Sequence, residues 1–148
     1  MLEFKTESVG MTESLAYMLG QKLPYGTVIA LFGDLGAGKT SFTRGFAAGM
    51  NINADVSSPT FALVNEYRTG NKTLCHFDMY RVNNFEDLYS TGFYDYLDSG
   101  CSVIIEWSEN IENVLPDDCI KIKIDKCDND NERIIKIIGC DNIEITQP

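Results

Sequence analysis

The chain has 148 residues, 44% of them hydrophobic and 23% charged, and its 22 acidic and 12 basic side chains leave a net charge of −10. Residues 1–74 hold six acids and six bases, so the sixteen acids and six bases of residues 75–148 carry the whole excess. This argues against tight, direct binding of DNA or RNA by the C-terminal half, because such affinity comes mainly from Lys and Arg neutralising phosphates, and it argues against a polybasic membrane-surface role.

A chain of this length reads as one domain, residues 1–148, with an uncertain tail after about residue 139. Its longest apolar runs, such as Val28–Phe32, are too short to span a bilayer. The N-terminal MLEFKTESVG lacks the charged and apolar regions of a secretory signal. The five cysteines (Cys75, Cys101, Cys119, Cys127 and Cys140) form no CxxC pair. With His76 as the single histidine, they assemble no recognisable zinc site. An odd, scattered set without a signal is expected to be reduced thiols of a cytoplasmic protein.

In chain order, Thr12–Leu23 carries apolar residues at helical spacing and ends at Pro24. Thr27–Phe32 is a continuous apolar run and reads as a buried central strand. Gly33–Gly38 is a glycine-rich loop, followed by a helix over Lys39–Met50. Phe61–Thr69 and Thr73–Asp78 read as strands joined at the hairpin signal Gly70-Asn71. Asn84–Leu88 opens a helix with Asn83 or Asn84 as cap. Ser102–Glu106 is another short buried strand. Cys119–Asp125 and Glu132–Ile138 form a second hairpin around the polar Lys126–Asn131. No repeat, low-complexity tract or linker interrupts this alternation, which specifies an α/β fold.

Gly33-Asp34-Leu35-Gly36-Ala37-Gly38-Lys39-Thr40 fits G-x-x-x-x-G-K-[ST]. At average residue frequencies, a chain this long matches by chance on the order of 0.5% of the time. A buried strand before the loop and a helix after it supply the context the motif requires. Glycines let the backbone wrap around phosphates, and the loop N–H groups and helix N-terminus favour anions. Lys39 adds a charge near the β- and γ-phosphates, and the Thr40 hydroxyl suits Mg²⁺.

Such a loop needs acids, and two strands end in one: Leu74–Asp78 and Val103–Glu106. The C-terminal strand edge is where α/β sheets bind ligands. Either acid can hold the metal, directly or through water, and the other can then orient or deprotonate the attacking nucleophile. The sequence does not assign the two roles. His76 shares a strand face with Asp78 and can orient it, or serve as a structural histidine. Trp107 can pack near a nucleotide or fill core, and Arg81 can reach phosphate or form a surface ion pair. Ser57-Ser58-Pro59-Thr60-Phe61 lies where nucleotide switches place a hydroxyl that senses γ-phosphate, although alone it is a turn containing Pro.

Four blocks together resemble the TsaE family of tRNA threonylcarbamoyladenosine biosynthesis. They are Gly33–Thr40, Ser58-Pro59-Thr60-Phe61, His76-Phe77-Asp78-Met79-Tyr80-Arg81 and Ile105-Glu106-Trp107. Their order and spacing match over roughly residues 8 to 138, with Ser108 standing where Pro is usual and Met79 where Leu is common. The resemblance implies a P-loop NTPase-like α/β fold, with a mixed β-sheet flanked by helices on both faces. It implies ATP and Mg²⁺ as cofactors, ligation of Mg²⁺ by Thr40 and Glu106, and Asp78 near the γ-phosphate or the attacking water. Asp78, Glu106 and Lys39 are the expected catalytic set. Nucleotide contacts are expected from Gly33, Gly36, Ala37, Gly38, Lys39, Thr40, Ser41 and Trp107, with Thr60 on a responsive loop and the adenine near Val9 and Glu109. The implied partners are TsaD and TsaB, with tRNA met only through their complex and no membrane involved. The ATP cycle would reset or license that complex rather than perform the threonylcarbamoyl transfer.

Two other readings differ in kind. A small P-loop kinase needs an acceptor pocket and usually several arginines, and the chain has only Arg44, Arg68, Arg81 and Arg133. A nucleotide-sensing module would bind without significant turnover. A GTPase is disfavoured, because Asn71-Lys72-Thr73-Leu74 places Leu where the guanine-reading acid belongs.

Overall fold

The computed structural model describes residues 1–59 and 63–148. Its strands are β1 (Leu2–Thr6), β2 (Val28–Phe32), β3 (Val64–Thr69), β4 (Lys72–Asp78), β5 (Ser102–Glu106), β6 (Ile120–Lys126) and β7 (Arg133–Ile138). Its α-helices are α1 (Val9–Lys22), α2 (Lys39–Gly49), α3 (Phe85–Ser90) and α4 (Phe93–Asp98), and a 3₁₀ segment follows β5 over Ser108–Val114.

The strands form one sheet in the order β1-β7-β6-β2-β5-β4-β3. The centre, β6-β2-β5-β4, is parallel, and β7 and β3 pair antiparallel outside it, with β1 antiparallel to β7. This is the mixed sheet that the family resemblance implies. Alternation along the strands divides the core in two. Ile29, Leu31, Leu74 and Ile104 pack with Leu15, Leu19, Phe42 and Phe46 of α1 and α2. Cys75, Phe77, Val103 and Ile105 pack with Leu88, Phe93 and Ile111 of α3, α4 and the 3₁₀ segment. Helices therefore cover both faces.

Helix α1 starts three residues earlier than its apolar spacing suggests, because the Ser8 side chain accepts the Met11 N–H and caps it. Helices α1 and α2 meet through glycines. A Cβ on Gly45 would lie 2.3 Å from the Glu13 carbonyl oxygen, and one on Gly49 would lie 2.2 Å from that of Tyr17. This backbone-to-backbone approach seats α2, which follows the loop, directly against α1.

The hairpin turn at Gly70-Asn71 is as read, with Thr69 paired to Lys72. So is the Asn84 cap, whose side chain accepts the Asp87 N–H. Residues 61–62 of the expected third strand lie outside the described residues. Strand β1, helix α4 and the 3₁₀ segment go beyond the sequence reading. In β1, Phe4 and Thr6 are buried while Glu3 and Lys5 are exposed, a period-two pattern only five residues long. Helix α4 has six residues, too few to show helical periodicity. Among the described residues, no helix is long and apolar enough to cross a membrane.

Candidate active site at the carboxyl edge of the parallel strands

The order β2-β5-β4 sets the glycine loop, Glu106 and Asp78 side by side. The loop leaves the end of β2, and Asp78 and Glu106 are register partners at the ends of β4 and β5. This is the edge where α/β sheets place ligands.

The loop backbone has the conformation its glycines permit. Gly38 caps α2 at φ 110°, a left-handed value that costs glycine little. At Gly33 the constraint is space, since a Cβ there would stand 2.7 Å from the Ile124 carbonyl oxygen. Side chains from distant segments brace the loop. The Glu109 carboxylate accepts the Gly33 N–H at 2.9 Å. Arg133 of β7 donates to the Ala37 carbonyl at 2.8 Å and the Gly36 carbonyl at 3.2 Å. The same guanidinium donates to the carbonyls of Asp130 and Glu132 at 2.6 and 2.7 Å.

Lys39 is buried, with its ammonium donating to the carbonyls of Gly33 and Asp34 and lying 3.6 Å from the centre of the Trp107 ring. Burial lowers its pKa, and the negative groups Glu109, Glu106, Asp78 and Asp34 push the other way. Trp107 has φ 58°, strained for a residue with a Cβ, and packs against Tyr80 with ring centroids 5.0 Å apart.

The two acids have different surroundings. Glu106 is 4% exposed. Both of its oxygens lie 3.1 Å from the Thr40 hydroxyl, which donates to them, and His76 Nε2 lies 2.5 Å from Oε2. His76 Nδ1 lies 3.1 Å from the Tyr67 hydroxyl, which also reaches the Ser57 carbonyl at 3.1 Å. Asn65 Nδ2 donates to that same carbonyl at 3.1 Å. Asp78 instead accepts the Ser58 hydroxyl at 3.0 Å and the Tyr80 N–H at 2.9 Å. His76 thus holds Glu106 rather than Asp78.

A cavity of about 420 Å³ is lined by Gly36, Ala37, Gly38, Lys39, Thr40, Ser41, Asp78, Glu106 and Trp107, with Leu35, Ser58 and Tyr80 completing the wall. Most of the residues expected from the sequence therefore meet in one place. Gly33 and Glu109 meet beside it, through their hydrogen bond. Val9 is the first residue of α1, 57% exposed, and does not line the cavity. Thr60 lies outside the described residues. Arg81 is exposed just beyond β4. Arg133, Tyr67, Asn65 and Tyr80 were not anticipated. Tyr80 lies within the His76–Arg81 block, two residues from Asp78, whereas only tertiary contacts bring Arg133, Tyr67 and Asn65 here and no local motif marks them.

The donor set suits a hard cation. Thr40 and Glu106 offer oxygens in contact, and Asp78 stands next to them. No group of three or more His, Cys, Asp or Glu able to hold a metal occurs among the described residues.

The sheet order, the loop and the paired carboxylates define an α/β protein of the P-loop NTPase-like class. Comparison narrows this. The family described as "Threonylcarbamoyl adenosine biosynthesis protein TsaE" matches residues 6–135. The chain is 41% identical to a tRNA threonylcarbamoyladenosine biosynthesis protein TsaE of Synechocystis, over 74% of this chain and 72% of that one. Against the Bacillus subtilis protein of the same name, identity is 37% over 90% and 83%. The crystal structure of Bacillus subtilis YdiB superposes with a TM-score of 0.79 at 33% identity, covering 95% of this chain and 86% of that one. The chain belongs to the TsaE family of tRNA threonylcarbamoyladenosine biosynthesis.

Proposed function

We propose that the protein is the Mg²⁺-dependent, ATP-binding and ATP-hydrolysing component of this modification machinery. It acts on a TsaB–TsaD partner complex and leaves the threonylcarbamoyl transfer to that complex. The observation that carries the reading is the contact of Thr40 with Glu106 beside Lys39, at the mouth of a loop of the phosphate-binding pattern.

Each residue has a role the geometry allows. The loop N–H groups and Lys39 bind the phosphate oxygens, and Thr40 and Glu106 hold the metal. Mg²⁺, when bound, offsets the charge that develops on the transferring phosphoryl group. Asp78 orients the attacking water or accepts its proton. Its bond to Ser58 ties that work to the segment entering residues 57–59. Trp107 and Tyr80 wall the cavity and limit water.

The arginines weigh against a kinase. Arg44 pairs with Glu13 and Arg68 with Glu66, while Arg133 is spent on loop carbonyls. That leaves no cluster of arginines for a phosphate-gripping lid. The test is ATP turnover alone and with TsaB–TsaD. The reading expects slow hydrolysis alone and at least tenfold stimulation, because docking completes the positioning of water. Equal rates, or a phosphorylated small molecule as product, would overturn it.

A further inference from the structure

We infer that Cys75 and Cys101 form a redox-convertible dithiol, a modification site that accepts a low-molecular-weight disulfide as its oxidant. The inference does not depend on the nucleotide reading. The two sulfurs are 2.9 Å apart, the one Sγ–Sγ contact among the described residues. The strands create it. Cys75 is the register partner of Val103 in the parallel β4–β5 pair, so Cys101, two residues back, lies diagonal to it on the same face. A disulfide bond is about 2.05 Å long, so the sulfurs must close by about 1 Å, and their diagonal placement requires the Ser99-Gly100 turn that carries Cys101 to shift toward β4 as the bond forms. The other three cysteines make no comparable approach.

Access differs between the two thiols. Both line a cavity of about 540 Å³ on the α4 side of the sheet, beside Tyr96, Asp95 and Glu66. Cys101 is 7% exposed and follows the Ser99-Gly100 turn, whereas Cys75 is fully buried. Burial also pushes the Cys75 thiol well above the ordinary thiol range. Cys101 is therefore the point of entry. Its thiolate attacks one sulfur of the external disulfide, forms a mixed disulfide and releases the first external thiol. Cys75 then loses its proton and attacks Sγ of Cys101, releasing the second. The protein pair gives up two electrons and two protons, and one external disulfide becomes two thiols.

The bond would close the segment between residues 75 and 101, which carries Asp78, α3 and α4. Cys75 directly precedes His76, the residue that holds Glu106. Oxidation therefore clamps the strand bearing one wall of the active site, and a higher unfolding midpoint is expected.

The test uses the full chain and oxidised glutathione. After incubation at mildly alkaline pH, the protein is denatured, alkylated and weighed. The expected result is loss of two of the five alkylatable thiols. A Cys75–Cys101 peptide should appear in the unreduced digest, and dithiothreitol should reverse both changes. Cys75→Ser should stop at the mixed disulfide on Cys101, and Cys101→Ser should leave Cys75 unmodified in the folded protein. Five alkylated thiols, bridging to another cysteine, or modification of Cys75 at an undiminished rate in Cys101→Ser would overturn the proposal.

Discussion

His76 Nε2 and Glu106 Oε2 are 2.5 Å apart between adjacent parallel strands, and neither side chain is more than 5% exposed. The contact fixes the orientation of the carboxylate that faces Thr40. Behind it, the single proton of the Tyr67 hydroxyl can point to His76 Nδ1 or to the Ser57 carbonyl, both 3.1 Å away. When it points to His76, Asn65 still serves Ser57. The candidate metal carboxylate is thus connected, through buried side chains, to the segment that follows α2.

Tyr67→Phe removes that hydroxyl and keeps the ring. It leaves a buried ring nitrogen of His76 short of a partner, which costs about 1–2 kcal/mol. A lower urea midpoint with an unchanged slope is expected. Turnover with partners should fall further than nucleotide affinity, since the orientation of Glu106 is what relaxes. Unchanged turnover would confine Tyr67 to a packing role.

Lys39→Met should weaken ATP binding by tenfold or more, about 1.4 kcal/mol at the least. It should leave stability unchanged or improved, because the ammonium it removes is desolvated by burial. Calorimetric titration with ATP, alongside thermal unfolding, checks both halves.

Arg133→Met removes the donor that four carbonyls share, two of them in the phosphate loop. The expected outcome is a several-fold loss of nucleotide affinity in a folded protein, measured by the same titration. A variant with undiminished affinity would show that the loop holds its shape without β7.

Gly45→Ala drives a methyl group to 2.3 Å from the Glu13 carbonyl oxygen, so α1 and α2 must separate. A loss of about 2–4 kcal/mol is expected. Gly10→Ala, in α1 with nothing closer than 3.8 Å, should be neutral or stabilising by about 0.5–1 kcal/mol. Denaturant midpoints compare the two.

Asp117, Asp118, Asp128 and Asp130 are exposed. Reversing either pair to Lys should weaken association with TsaB–TsaD without changing the fold, if that acidic surface meets a basic one. An unchanged dissociation constant at low salt would make it a plain solvated surface.

The buried strands of the core were legible because runs such as Val28–Phe32 and Ser102–Glu106 announce themselves by composition and length. The phosphate loop was legible because its chemistry is local. Both acids were legible as strand ends, but their separate surroundings were not. Those depend on β5 lying between β2 and β4, which puts Glu106 against Thr40 and Asp78 against Ser58. The same topology decides between the two roles open to His76, since it holds Glu106 and does not orient Asp78. Residues at i and i+2 share a face, yet the nearer carboxylate came from the neighbouring strand. Arg133 had no signal, since its partners in the loop are 96 and 97 residues away. Strand β1 and helix α4 were too short for their periodicity to stand out.

The uneven charge also has a structural setting. The neutral half of the chain supplies the loop and Lys39, where excess negative charge would oppose a polyphosphate. The acidic half supplies Asp78, Glu106 and the exposed loop acids. The excess of acids in residues 75–148 opposes tight contact of that half with nucleic-acid phosphates.

The most direct test of the account is a crystal structure of the chain with Mg²⁺ and a non-hydrolysable ATP analogue. The account predicts the Thr40 hydroxyl at about 2.1 Å from the metal, Glu106 bound to it directly or through one water, and Asp78 within one water of the γ-phosphate. A metal held without Thr40, or a γ-phosphate with neither carboxylate within one water of it or of the metal, would contradict it.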